Sequence, residues 1–201
     1  MMNRRSFVTG GAAFAALLSA GPRLAFAGRD PAARLVAAAE AQIGLTTIYD
    51  GAYLHIKYPG GDVALERGVC ADVIIRAYRS AFDIDLQQLV HEDMVENFGD
   101  YPKNWGLTRP DRHIDHRRVL NLQTFLERQG AALPPDDALR PGDLVTQTIG
   151  GRFPHIAIMS DRRTNDGARL LAIHNISAGV EYGDILPLFP VTGRYRYLPD
   201  A

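Results

Sequence analysis

The sequence predicts an α+β domain in which helices come first and an antiparallel sheet second. Three observations carry that expectation. Apolar residues recur at helical spacing in the segments before Gly130. The stretches after Gly142 are rich in β-formers and bounded by turn residues. No glycine-rich phosphate loop joins a strand to a helix, and helices followed by strands argue against a parallel Rossmann-type sheet.

The elements follow in order. Asp30-Pro31 offers a capping acceptor and then proline at the first helical position. Leu35, Ala38, Ala39 and Ile43 continue one helical face, with Gly44 as the stop. Residues 45–69 read as loop, with turn chemistry at Tyr58-Pro59-Gly60-Gly61-Asp62. Val73, Ile74, Ala77, Tyr78, Ala81 and Phe82 then form a broad apolar face at a 3.6-residue period. This places Cys70 at or just before the first turn of a buried helix. Leu86, Leu89, Val90, Val95 and Phe98 mark a short helix. Residues 99–118 read as irregular, and Leu122, Phe125 and Leu126 mark a further helix ended by Gly130. The strands are expected at 143–149, 155–161, 169–177 and 193–198, with Asn165-Asp166-Gly167 as a hairpin tip.

The first 27 residues stand apart from this domain. They have a basic start, a short apolar stretch and a small-residue site at Ala25-Phe26-Ala27, the layout of a cleaved export signal. Arg4-Arg5 followed by Ser6-Phe7-Val8 resembles a Tat signal; a Sec signal with two ordinary arginines is the alternative. Residues 28–201 then form a single domain, periplasmic or secreted, with no stable membrane anchor after cleavage. Losing Arg4, Arg5 and Arg23, and no acid, takes the formal charge from −1 to −4. A weakly acidic domain has no electrostatic footprint for nucleic acid.

Export sharpens the meaning of the single cysteine. Exported proteins use cysteines mostly in pairs, and one cysteine cannot close an internal disulfide. Cys70 is therefore a buried small hydrophobe, half of an intermolecular link, or a nucleophile. A helix N-terminus favours a thiolate through its free N–H groups and its dipole. Asp72, in the same turn, opposes a thiolate, and its expected structural role is to satisfy orphan N–H groups. A nucleophile also needs a base. His155 opens one expected strand, and His174 lies near the end of the next. Antiparallel pairing of the two strands brings them close, so His174 is placed to orient His155, with Asn175 as the competing orienter on the opposite face.

The segments Gly68–Arg79, Arg140–Val145, Pro154–Ser160 and Leu171–Ser177 resemble, in order and spacing, the NlpC-type branch of the papain-like cysteine peptidases. More closely, Tyr58–Asp62, Gly68–Val73, Arg109–Val119 and Pro154–Ile158 resemble the domain-of-unknown-function family 1287. The papain-like resemblance implies Cys70 as nucleophile, His155 as general base and acid, and His174 as third member. It implies a papain-like fold with the nucleophile helix packed on the sheet, and no cofactor or metal. It also implies Tyr58 facing substrate. Val69 before Cys70 and Ala71-Asp72 after it depart from the usual Asp-Cys-Ser-Gly stretch, so the pocket differs from the family pattern.

Asp72, Trp105 and Asn175 complete the expected substrate-binding set, and Tyr53 and Tyr101 are further candidates to line a groove. In Arg109–Arg118, Asp111, His113 and Asp115 share one side if the chain is extended. A structural or substrate-lining loop is favoured there over a metal site. The function expected is an exported cysteine hydrolase acting on an amide bond in peptidoglycan stem peptides. An acyltransferase or thioesterase on the same fold, and a noncatalytic cell-wall peptide-binding protein, are the alternatives.

Overall fold

The computed structural model describes residues 30–199. The expected export signal, residues 1–27, lies outside them. Four α-helices precede a five-stranded antiparallel sheet among the described residues. The helices are α1 (Pro31–Glu40), α2 (Cys70–Phe82), α3 (Leu86–Glu96) and α4 (Val119–Arg128). The sheet holds β3 (Leu144–Ile149), β4 (Phe153–Arg163), β5 (Leu170–His174), β6 (Glu181–Gly183) and β7 (Val191–Tyr195), in the order β6-β5-β4-β3-β7.

Alternation along the strands builds two layers. Leu144, Ile156, Ile158, Ile173 and Tyr195 face α1, α2 and α4 in the larger core. Val145, Ala157, Met159 and Ala172 face the other way, onto Ile185 and the residues around Phe189. α2 is the central helix. Val73, Ile74, Ala77 and Tyr78 are almost wholly enclosed, and each large apolar side chain so buried stabilises the fold by about 1.5–3 kcal/mol.

The structure departs from the sequence reading at the edges of elements. α1 ends at Glu40, so Ile43 sits in the following turns and is exposed. Val95 is exposed on α3, and Phe98 opens a separate 3-10 turn, Phe98–Asp100. The expected loop 45–69 contains a short parallel pair, β1 (Ile48–Tyr49) with β2 (Arg67–Gly68). Its ordering comes from the buried Arg76 of α2. That guanidinium pairs with Asp62 and donates to the carbonyls of Val63, Ala64 and Arg67. A loop reading has no access to a partner fourteen residues on. Phe153 and Pro154, outside the expected strand 155–161, form the start of β4. β5 stops at His174, short of the expected 177, because the Asn175 amide donates to the Gly68 carbonyl. β6 was too short to register in the sequence.

Arg140–Val145 has a structural explanation. Asp143 is completely buried and receives two hydrogen bonds of 2.8 Å from Arg196, which ties the start of β3 to the segment beyond β7. Gly142 has φ +86°, and a Cβ there would fall 3.0 Å from Ala32 of α1.

Candidate active site

Cys70 is the first residue of α2. Val69, the N-cap, has no side-chain acceptor; the Asp72 carboxylate instead accepts from the Val69 N–H at 2.7 Å. The other Asp72 contacts come from Arg117. Its Nε donates to Oδ1 and its Nη2 to Oδ2, both at 2.9 Å, and both side chains are almost wholly buried. Arg117 also donates to the carbonyls of Asp50 and Ala52. Asp72 is thus committed to holding the head of α2 and is closed off from the substrate-contact role expected for it.

The thiol is 3% exposed and lines a cleft of about 540 Å³. Tyr49, Tyr53, Trp105, Phe153 and Arg118 share that wall. The backbone N–H groups of Ile156, Ala71 and Cys70 lie near the sulfur and favour its charged form. Even so, burial pushes the thiol up to about 11, with the Asp72 charge adding to the rise. The expected helix-terminus depression is therefore outweighed by desolvation, and the resting group is a neutral thiol.

His155 and His174 come together as the pairing required. Their rings meet edge to face at 5.5 Å between centroids. Each is 3% exposed, and each has one buried nitrogen without a hydrogen-bond partner, Nε2 on His155 and Nδ1 on His174. Burial pushes His155 down to about 3, with His174 contributing, and His174 down to about 4. Both share the strand parity of Ala157 and Ala172, so they stand on the face away from α2. Cys70 approaches from the α2 side, where the Ile156 N–H reaches its sulfur one residue beyond His155. The thiol thus meets the backbone of β4 next to His155, while the two imidazoles stand on the other face of the sheet.

The other candidates divide. Trp105 lines the Cys70 cleft, with the Arg118 guanidinium 4.4 Å over its ring. Tyr53 lines it too, as does Tyr49, which the sequence reading did not single out. Tyr58 packs instead on His91 and beneath Arg112, apart from the residues around Cys70. Tyr101 is buried, its hydroxyl bonded to Asp93. Asn175 is completely buried on the α2 side and holds Gly68, so it neither orients His155 nor meets a ligand. Asp111, His113 and Asp115 do not alternate along an extended chain. Asp115–Arg117 is a 3-10 turn, and Asp115 turns inward to accept from the Asp111 N–H.

Gly183 of β6 abuts His174. A Cβ at this position would fall 2.3 Å from Nε2 of His174. Gly183→Ala should displace that imidazole and lower stability by about 1–3 kcal/mol, as overpacking does. Shifted His174 ring signals in NMR, with those of His116 unmoved, check the displacement.

Burial also sets the acid limit of the fold. His116, 2% exposed, is pushed down to about 3, first by burial and then by Arg79 and Arg117. For His116, His155 and His174 the unfolded chain binds the proton more readily. Their contribution is complete above about pH 6.5 and is lost as pH falls toward 3–4. Asp115, pushed up to about 6 by burial, works in the opposite sense between about pH 4 and 6. With that offset, about two net protons are taken up on unfolding near pH 5, a slope of about 3 kcal/mol per pH unit. The urea midpoint should fall steeply between pH 6.5 and 4.5, and less steeply in His116→Phe.

The fold and site define an α+β protein with one buried thiol at the head of its central helix and two imidazoles on the adjoining strands. The chain belongs to the family described as Domain of unknown function (DUF1287), which matches residues 36–197. It is similar to "Uncharacterized protein YijF" of Escherichia coli (strain K12), at 49% identity over 163 residues, 79% of this chain and 78% of that protein.

Proposed function

We propose that this protein is an exported cysteine hydrolase that cleaves an amide bond in peptidoglycan stem peptides, using Cys70, His155 and His174 on a papain-like, NlpC-type fold. One observation carries the reading. The only cysteine opens the central helix at a cleft, and its sulfur contacts the backbone beside a histidine whose ring meets a second histidine.

In this reading the His155 ring turns round the start of β4 to reach the sulfur, and the imidazole takes the Cys70 proton as sulfur attacks the carbonyl carbon. The Cys70 N–H donates to the developing oxyanion. The C–N bond breaks, His155 returns the proton to the departing amine, and a thioester remains on Cys70. Water, deprotonated by His155, then releases the carboxylic acid and restores the thiol. His174 steadies the imidazolium that forms in each half.

A second reading is a noncatalytic cell-wall peptide-binding protein with Cys70 as a buried filler, and the neutral, 3%-exposed thiol favours it. Acyl transfer on the same centre differs only in the acceptor. Incubation of the mature protein with purified muropeptides separates the three. Hydrolysis gives a new amine and a carboxylic acid together, and transfer gives a new amide when an amine is supplied. Intact muropeptides that remain bound would leave the noncatalytic reading.

A further inference from the structure

Beside the Cys70 cleft lies a second hollow of about 670 Å³, between the loop carrying Tyr53 and His55, α3 and the Arg109–His113 segment. Tyr53 forms part of both walls, so the two hollows adjoin. We propose that this second hollow is an anion subsite that holds a free carboxylate of the peptide substrate. The proposal rests on the hydrolase reading of the adjoining cleft.

The charge inventory supports an anion. Arg109 and Arg112 both line the hollow, both are exposed, and neither has an ion pair among the described residues. Arg112 instead stacks over Tyr58 at 5.6 Å, which holds its guanidinium plane in place. His55, His91, His113, Thr108 and Asp111 also line the hollow, with the His55 and His113 rings 4.8 Å apart. Arg118 stands where the first cleft begins and pairs with Asp115 at 3.6 Å.

The acids facing this hollow are already engaged. Asp111 accepts from the Tyr53 hydroxyl at 2.9 Å on one oxygen and from the His113 N–H at 3.0 Å on the other. Asp115 is completely buried behind it, and Glu92 accepts from Gln88 on α3. Asp111 keeps its charge at the wall, but Arg109 and Arg112 form no ion pair with it or any other acid among the described residues, which leaves two guanidinium forks open against one committed carboxylate. Guanidinium groups keep their charge at any pH at which the protein is folded, and their fork matches the two oxygens of a carboxylate. A metal ion finds no such welcome: among the described residues no group of three or more His, Cys, Asp or Glu is arranged to hold one.

The test uses the mature Cys70→Ala protein, which binds without turnover, and a stem tetrapeptide with its carboxylates free or amidated. Calorimetry should show the free peptide binding about tenfold tighter or better. Arg109→Gln with Arg112→Gln should erase that preference, with an unchanged melting temperature. Equal affinities, a preference that survives the double substitution, or no measurable binding of the free peptide would overturn the proposal. So would inorganic phosphate binding as tightly as the free peptide, which would mark a site for small phosphates. Cleavage by the unsubstituted protein, followed in parallel, separates the two readings. Preference without cleavage removes the hydrolase and keeps the subsite; cleavage without preference removes the subsite and keeps the hydrolase.

Discussion

Arg117→Met should lower the stability of the folded protein by about 3–5 kcal/mol, one of the largest effects of any single substitution here. Arg117 and Asp72 are paired through two 2.9 Å hydrogen bonds, and neither side chain is more than 4% exposed. Without the guanidinium, the Asp72 carboxylate is left buried with the Val69 N–H as its remaining partner. The carbonyls of Asp50 and Ala52 lose their donor as well. A domain of this size loses about 2–4 °C of melting temperature per kcal/mol, so a fall of about 10 °C is expected. The double variant Asp72→Asn/Arg117→Met should recover part of that loss. It removes the unpaired charge and keeps an amide oxygen for the Val69 N–H. Equal losses in the single and double variants would mean that the pair itself contributes little.

The other large effect is on chemistry. Cys70→Ala should lower muropeptide cleavage by about four orders of magnitude or more, and His155→Ala by a similar amount, because members of such a unit fail together. The double variant should be no worse than either single one. The two substitutions should also leave the melting temperature much closer to that of the parent than Arg117→Met does. Cys70→Ala removes a sulfur that packs at the end of a helix, whereas Arg117→Met strands a charge. Loss of cleavage with the fold intact is the pattern of chemical residues. Loss of both would make Cys70 a packing residue.

What the sequence disclosed followed from periodicity. α2 was legible because Val73, Ile74, Ala77, Tyr78 and Ala81 repeat at helical spacing and are all buried. The pairing of β4 with β5 was legible because both stretches are rich in β-formers and a turn at Asn165–Gly167 separates them, and this brought His155 and His174 together. What stayed hidden depends on long-range partners. Nothing near Asp72 announces Arg117, forty-five residues on, so the carboxylate read as a substrate contact and proved to be a brace. Tyr58 lies near Cys70 in sequence, but it packs edge to face on His91 of α3, away from the residues that line the Cys70 cleft. Asn175 was distinguished from His174 by parity alone, and its bond to Gly68 shows which face it took. The thiol misled most. A helix N-terminus predicts an acidic sulfur, but burial is a property of the packed core and reverses the sign.

The most direct test of the central claim is intact-protein mass spectrometry of the mature protein, quenched in acid during turnover of purified muropeptides. The account predicts an added mass equal to the acyl half of the substrate, mapped to Cys70 and absent from Cys70→Ala. Muropeptide cleavage that proceeds with Cys70 unmodified, or at an undiminished rate in Cys70→Ala, would contradict it.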